Sequence, residues 1–164
     1  MEADFRWGSP LGVSVVLFLV YGAIYLLIGG AWPLAHRLGA DRAYLIISER
    51  TDAAVFGPSP AEILRTNHQL DQLRTILFAM MCGLMVAAGT LIATVAWFGL
   101  RRGQPWALAA LVLAGVAVLP YWWIVFRPYT QVGAPIGLGD LPPFMWVPAA
   151  LLGPAALVGW VGLR

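Results

Sequence analysis

Side chains able to do acid–base, metal-ligand or nucleophilic chemistry are few in this chain, and most lie between residues 31 and 75. That stretch gathers His36, Asp41, Glu49, Asp52, Glu62, His68 and Asp71, imidazoles and carboxylates of the kind that hold a divalent cation or exchange a proton. His68 and Asp71, three apart, would share one face of a helix. The same interval separates Glu62 from Arg65, Arg65 from His68 and Asp71 from Arg74, so the spacing equally suits a solvated, ion-paired face, and none of it reproduces a ligand motif. Ser14, Ser48 and Ser59 lack the GxSxG setting of a hydrolase nucleophile. The reading is a candidate polar cluster of His36, Asp41, Glu49, Glu62, His68 and Asp71, with no catalytic residue, cofactor or metal site assigned.

A second group of polar side chains lies in apolar surroundings. Tyr21 and Tyr25 are four apart, as are Thr90 and Thr94, so each pair falls on one helix face, where hydroxyls can line a cavity. The competing reading is packing: threonine bonds back to its own helix carbonyls, and tyrosine finds a partner across a helix interface.

The elements that must position these groups follow from hydropathy. Of 164 residues 60% are hydrophobic and 11% charged, and the mean hydropathy of +0.79 lies far from the balance of a soluble globular domain. Four runs contain no charged residue: Leu11 to Gly30, Ile76 to Leu100, Trp106 to Phe126 and Phe144 to Leu163. A bilayer core of roughly 30 Å takes about 20 helical residues, which each run supplies. None alternates as a barrel strand does. The expected fold is therefore all-α: one integral membrane domain over residues 1–164, a four-helix bundle with a partly helical outer loop after the first helix. Glu2 and Asp4 precede the first run, unlike the positive segment of an export signal, so that helix is expected to remain. All eight tryptophans fall near the ends of the runs, the headgroup depth that indole prefers.

Arginine placement gives an orientation. Arg6, Arg101, Arg102 and Arg164 share one side with only Glu2 and Asp4, and that side is taken as cytoplasmic, in a bacterial inner membrane. The other side carries the outer loops, 31–75 and 127–143. Within the first, Ser59, Pro60 and Glu62 read as a capped helix start whose helix continues into the second span, while 41–56 suits an interfacial helix or a short strand. Pro120, Pro148 and Pro154 are expected to kink spans three and four.

Several functions are disfavoured. A net charge of +2 makes no nucleic-acid footprint. The spans hold no acid, lysine or histidine for a proton relay or coupled transport, and both histidines lie outside them, where they cannot clamp a haem. Cys82 has no partner cysteine. Small residues four apart, Gly83 with Ala87, Gly89 with Ala93, Ala149 with Gly153 and Ala155 with Gly159, permit close helix approach within the bundle or to another subunit.

The turn Arg101–Arg102–Gly103, followed by Trp106 and Ala107, resembles the RRGxxWA turn of small, uncharacterised four-helix bacterial membrane proteins, which also carry a long loop after helix 1. The resemblance implies topology and no activity. The leading functional expectation is a non-enzymatic accessory or interaction subunit, with membrane lipids and another membrane protein or a second copy as partners. The alternative is a binder or carrier of a lipid or apolar small molecule, and the third an enzyme acting on lipid headgroups at the outer surface.

Overall fold

The computed structural model describes residues 5–39, 44–57 and 59–164 and is helical throughout, with no strand among the described residues. Four segments are long and apolar enough to cross a membrane: Pro10–Arg37, His68–Arg102, Pro105–Gln131 and Pro143–Gly162.

The first helix, α1 (Pro10–Arg37), starts where Ser9 caps the Gly12 N–H at 3.1 Å and Pro10 takes the first helical position. It runs past Gly30 through AWPLAHR, carrying Pro33 in its interior, and ends at Leu38 and Gly39, the latter with a φ of 72°. Two short helices follow, α2 (Glu49–Phe56) and α3 (Pro60–Thr66). The segment 41–56 is thus helical over its second half, Glu49–Phe56, and its described residues 44–48 form neither helix nor strand. The Ser59 side chain makes no capping bond, and the helix beginning there does not continue into the second span. It ends at Asn67, whose side chain accepts from Leu70 N–H at 3.0 Å and starts α4 (His68–Thr94) afresh.

The second span finishes through a π-helical turn, Val95–Gly99, and a 3-10 turn, Leu100–Arg102, that stops at Gly103 with a φ of 70°, a left-handed conformation suited to glycine. The third span is split into α5 (Pro105–Ala117) and α6 (Leu119–Gln131), with Pro120 just beyond the join. Pro148 and Pro154 both fall inside the last helix, α7 (Pro143–Gly162), which stays continuous through them.

The first helix is the hub, packing along both α4 and α7. These contacts are made by close approach and a few polar bonds. A Cβ on Gly89 would lie 2.7 Å from the Gly22 carbonyl oxygen, so at that crossing only glycine lets α1 and α4 meet. On the other side Ser14, fully buried, donates to the Ala155 carbonyl of α7 at 2.7 Å. Val15, Phe18, Leu100, Leu108, Leu111 and Leu152 complete a core at this end, and α5 is pressed onto α7 where Leu152 fills the space over Gly115. In contrast, Tyr129 is the single buried residue of α6.

At the end bearing the interspan turn, Arg101 lies over three rings, 4.5 Å from the centre of Trp97, 5.3 Å from Phe5 and 5.9 Å from Trp7. This ties the N-terminal segment to the turn. The segment after α1 and the segment after α6 meet at the opposite end and form a cap.

Candidate functional site: an apolar cleft beneath a carboxylate-clasped cap

The cap is organised by Asp52, which has no exposed surface. Ser48 caps α2 by accepting from Thr51 N–H, which fixes the first turn and swings Asp52 back towards the chain before the helix. Its Oδ2 accepts from the Leu45 N–H at 2.7 Å and the Ile46 N–H at 2.8 Å, and the Ile47 N–H lies 3.2 Å from Oδ1. Successive backbone N–H groups of this kind form an anion-binding nest, here filled by the chain's own carboxylate. The fourth donor comes from 77 residues away: Tyr129 Oη of α6 donates to Oδ1 at 2.8 Å. Around that bond, Thr51 Oγ1 donates to the Pro135 carbonyl at 3.3 Å, and the Phe56 ring meets the Tyr129 ring edge-on. The second loop closes on itself where Asp140 accepts from Gly137 N–H at 3.0 Å.

Below the cap, two adjoining cavities share Met81, Met85 and Phe144. The upper one, about 270 Å³, lies between α1 and α4 under the cap, against Trp32, Tyr44, Phe78 and Pro142. The lower one, about 360 Å³, lies midway along the apolar helices and is walled by Leu84 and Ala88 of α4 and by Tyr121, Trp122 and Val125 of α6, with Tyr25 behind. Every wall residue except the tyrosines and the indole is purely apolar. The methionines suit such a wall, since an unbranched thioether repacks around ligands of different shape. Trp122 touches Phe144 at 6.2 Å between ring centres, which links α6 to α7 across the lower cavity.

The upper rim holds a stack of cation and rings. Arg74 is buried, its Nε donates to the Leu45 carbonyl at 3.2 Å, and its guanidinium lies 4.4 Å from the centre of Phe78 and 5.4 Å from that of Tyr44. His36 stacks on Trp32 at 5.0 Å, one turn along α1.

The polar cluster expected between residues 31 and 75 is dispersed. Glu49, Glu62 and His68 are exposed, His36 is half-buried on Trp32, and Asp71 is half-buried on α4. Asp41 lies outside the described residues. Among the described residues no three His, Cys, Asp or Glu side chains stand close enough to hold a metal ion. The carboxylate that organises the cap, Asp52, was one acid among several in the sequence, and Tyr129 carried no signal at all. What marks them is convergence of donors on one buried carboxylate, a property of the fold.

Of the hydroxyl pairs, Tyr25 lines the lower cavity, whereas Tyr21 is buried in the core with its ring edge-on to Tyr25 at 5.3 Å. Thr90 donates to its own helix at the Val86 carbonyl, 2.8 Å away, and both Thr90 and Thr94 are exposed. The glycines divide equally. Gly89 and Gly159 are filled from inside the fold, by Gly22 with Leu26 and by Ser14 with Leu108, while Gly83 and Gly153 face outward with nothing within 4 Å of a Cβ.

Comparison with family models, with curated proteins and with solved structures finds no match to this chain.

Proposed function

We propose that this is an integral membrane protein that binds a single apolar chain, from a membrane lipid or an apolar small molecule, in the cleft between α4 and α6. In this reading the four long helices cross a bilayer with both termini on the cytoplasmic side, and the cap lies on the outer face. The observation that carries it is the lower cavity, apolar on its walls, midway along the helices and adjoining a second cavity under the cap across Met81, Met85 and Phe144. Both cavities fall near the size of small-ligand sites. Since lipid tails are as apolar as these walls, selectivity rests on shape and packing rather than on hydrophobic transfer.

The test is native mass spectrometry of the full-length protein released from lipid nanodiscs. Wild type is expected to retain one apolar molecule, and Ala88→Trp, whose indole would occupy the lower cavity, to lose it. Equal retention by both, or none by wild type, refutes the reading.

A second reading, an interaction subunit of a membrane assembly, is favoured by Gly83 with Ala87 on α4 and Ala149 with Gly153 on α7, all four exposed. Pairs of small residues on an outer face let another helix approach closely. An association that survives Ala88→Trp and is lost in Gly83→Leu would favour it.

A further inference from the structure

We propose that α6 is a hinged arm that gates the cleft, pivoting at Val118–Pro120 and held shut by the hydrogen bond from Tyr129 to Asp52. The proposal rests on the lipid-binding reading and deepens it by assigning how its site is reached.

The arm has a fixed base. Its neighbour α5 is pinned to the core through Ala107, Leu108 and Leu111, and the packing of Leu152 over Gly115 holds it to α7 two residues before it ends. At the join the regular ladder of hydrogen bonds is interrupted. Val118 directs its N–H to the Val116 carbonyl, Pro120 has no N–H to give, and Tyr121 and Trp122 both donate to Val118. Proline-associated breaks of this kind are where helices bend.

Beyond the pivot the arm is almost free of the fold. Of its thirteen residues only Tyr129 is buried, and Tyr121, Trp123 and Ile124 are 65–71% exposed. Its inner side, Tyr121, Trp122 and Val125, faces the cavity rather than packed side chains of α4. What holds the far end is the clasp. The acceptor does not move with the arm, because three backbone N–H groups fix Asp52 in place, and the Tyr129 hydroxyl reaches it at 2.8 Å. Breaking that bond leaves the Phe56 and Phe144 ring contacts on the arm and, just beyond it, the Thr51–Pro135 and Ser48–Asp140 hydrogen bonds of the loop that follows, and with these weaker ties alone the wall of the lower cavity can swing into the bilayer and admit a chain sideways.

The experiment places nitroxide labels on Leu77→Cys and Ile124→Cys, exposed positions of α4 and α6, in a full-length Cys82→Ala background, and reads their separation by electron–electron resonance in lipid nanodiscs. The protein with the clasp intact is expected to show one dominant distance. Tyr129→Phe keeps the ring against Phe56 but removes the hydroxyl, so a longer distance should rise about tenfold or more in population. Asp52→Asn, which keeps a weaker neutral contact, should fall between them, and Pro120→Ala, which restores an N–H to the ladder, should suppress the longer distance. An unchanged distribution in Tyr129→Phe overturns the gate. Retained lipid, measured on the same samples, separates the two ideas: an arm that moves in a protein retaining nothing refutes the binding reading alone, and a retained chain with an immobile arm refutes the gate alone.

Discussion

Replacing Asp52 tests the cap most directly, because the structure gives different magnitudes for two substitutions at this one position. In Asp52→Ala the N–H groups of Leu45, Ile46 and Ile47 and the hydroxyl of Tyr129 lose their acceptor where Asp52 has no exposed surface. Each buried donor left unpaired costs roughly 1–3 kcal/mol, so four of them exceed about 4 kcal/mol and the cap is expected to open. Asp52→Asn is milder. Its amide oxygen can take the place of Oδ2 facing the Leu45 and Ile46 N–H groups, with the Ile47 N–H keeping only its 3.3 Å contact to that oxygen, and its NH₂ can take the place of Oδ1, where the Tyr129 oxygen turns from donor to acceptor. What is lost is the charge assistance, about half of each bond, or about 1–3 kcal/mol in total. Amide hydrogen exchange of a peptide spanning residues 44–56, measured in nanodiscs, reads both. Asp52→Asn should raise the rates at residues 45–47 by about ten- to hundredfold, and Asp52→Ala should abolish their protection. Residues 45–47 exchanging in Asp52→Ala as slowly as in wild type would refute the hub. Equal damage by the two variants would refute the reasoning from acceptor geometry.

Two further outcomes follow from close packing and from the aromatic cage. Gly89→Leu should destabilise the protein by about 1–3 kcal/mol, because its Cβ would meet the backbone of α1 at 2.7 Å, whereas Gly83→Leu, open around its Cβ, should leave thermal unfolding in detergent unchanged. Arg101→Ala removes the cation shared by Phe5, Trp7 and Trp97 and should cost about 0.5–2 kcal/mol, seen as faster proteolysis of the N-terminal segment and a red shift in tryptophan emission.

Hydropathy located four segments able to cross a membrane, because absence of charge over about twenty residues is a direct requirement of lipid. It does not give the ends of the helices, because helix and apolar stretch are different properties. The segment AWPLAHR is helical beyond the apolar run of α1, and His68 to Thr75 is helical before that of α4. The Ser59 cap was inferred from residue types, but Asn67 performs the capping that starts the long helix, since the chain turns there rather than at Pro60. A four-residue interval between small residues shows that they share a face and says nothing about where that face points, so Gly83 and Gly89 read alike although one faces out and the other touches Gly22. The pair Asp52 and Tyr129 was out of reach for a stronger reason: 77 residues separate them, and neither stands in a local pattern.

In the proposed membrane setting, the position of the clasp follows from the solvent around the helices. In water an apolar helix such as α6 would be held to its neighbours by burial, at about 25 cal/mol for each Å² removed from solvent. Beside lipid that term vanishes, and an arm without close glycine contacts gains little from lying against α4. The α1–α4 and α1–α7 crossings solve the problem with Gly22, Gly89, Gly159 and Ser14, which bring backbones together. On α6 bulky side chains, Tyr121, Trp122 and Trp123, stand where small ones would be needed, so it cannot be fastened in that way. A polar bond formed at its cap end, against a carboxylate held by backbone donors, is the remaining means of holding such a helix in one place while, in the proposed reading, its apolar wall stays available to a chain.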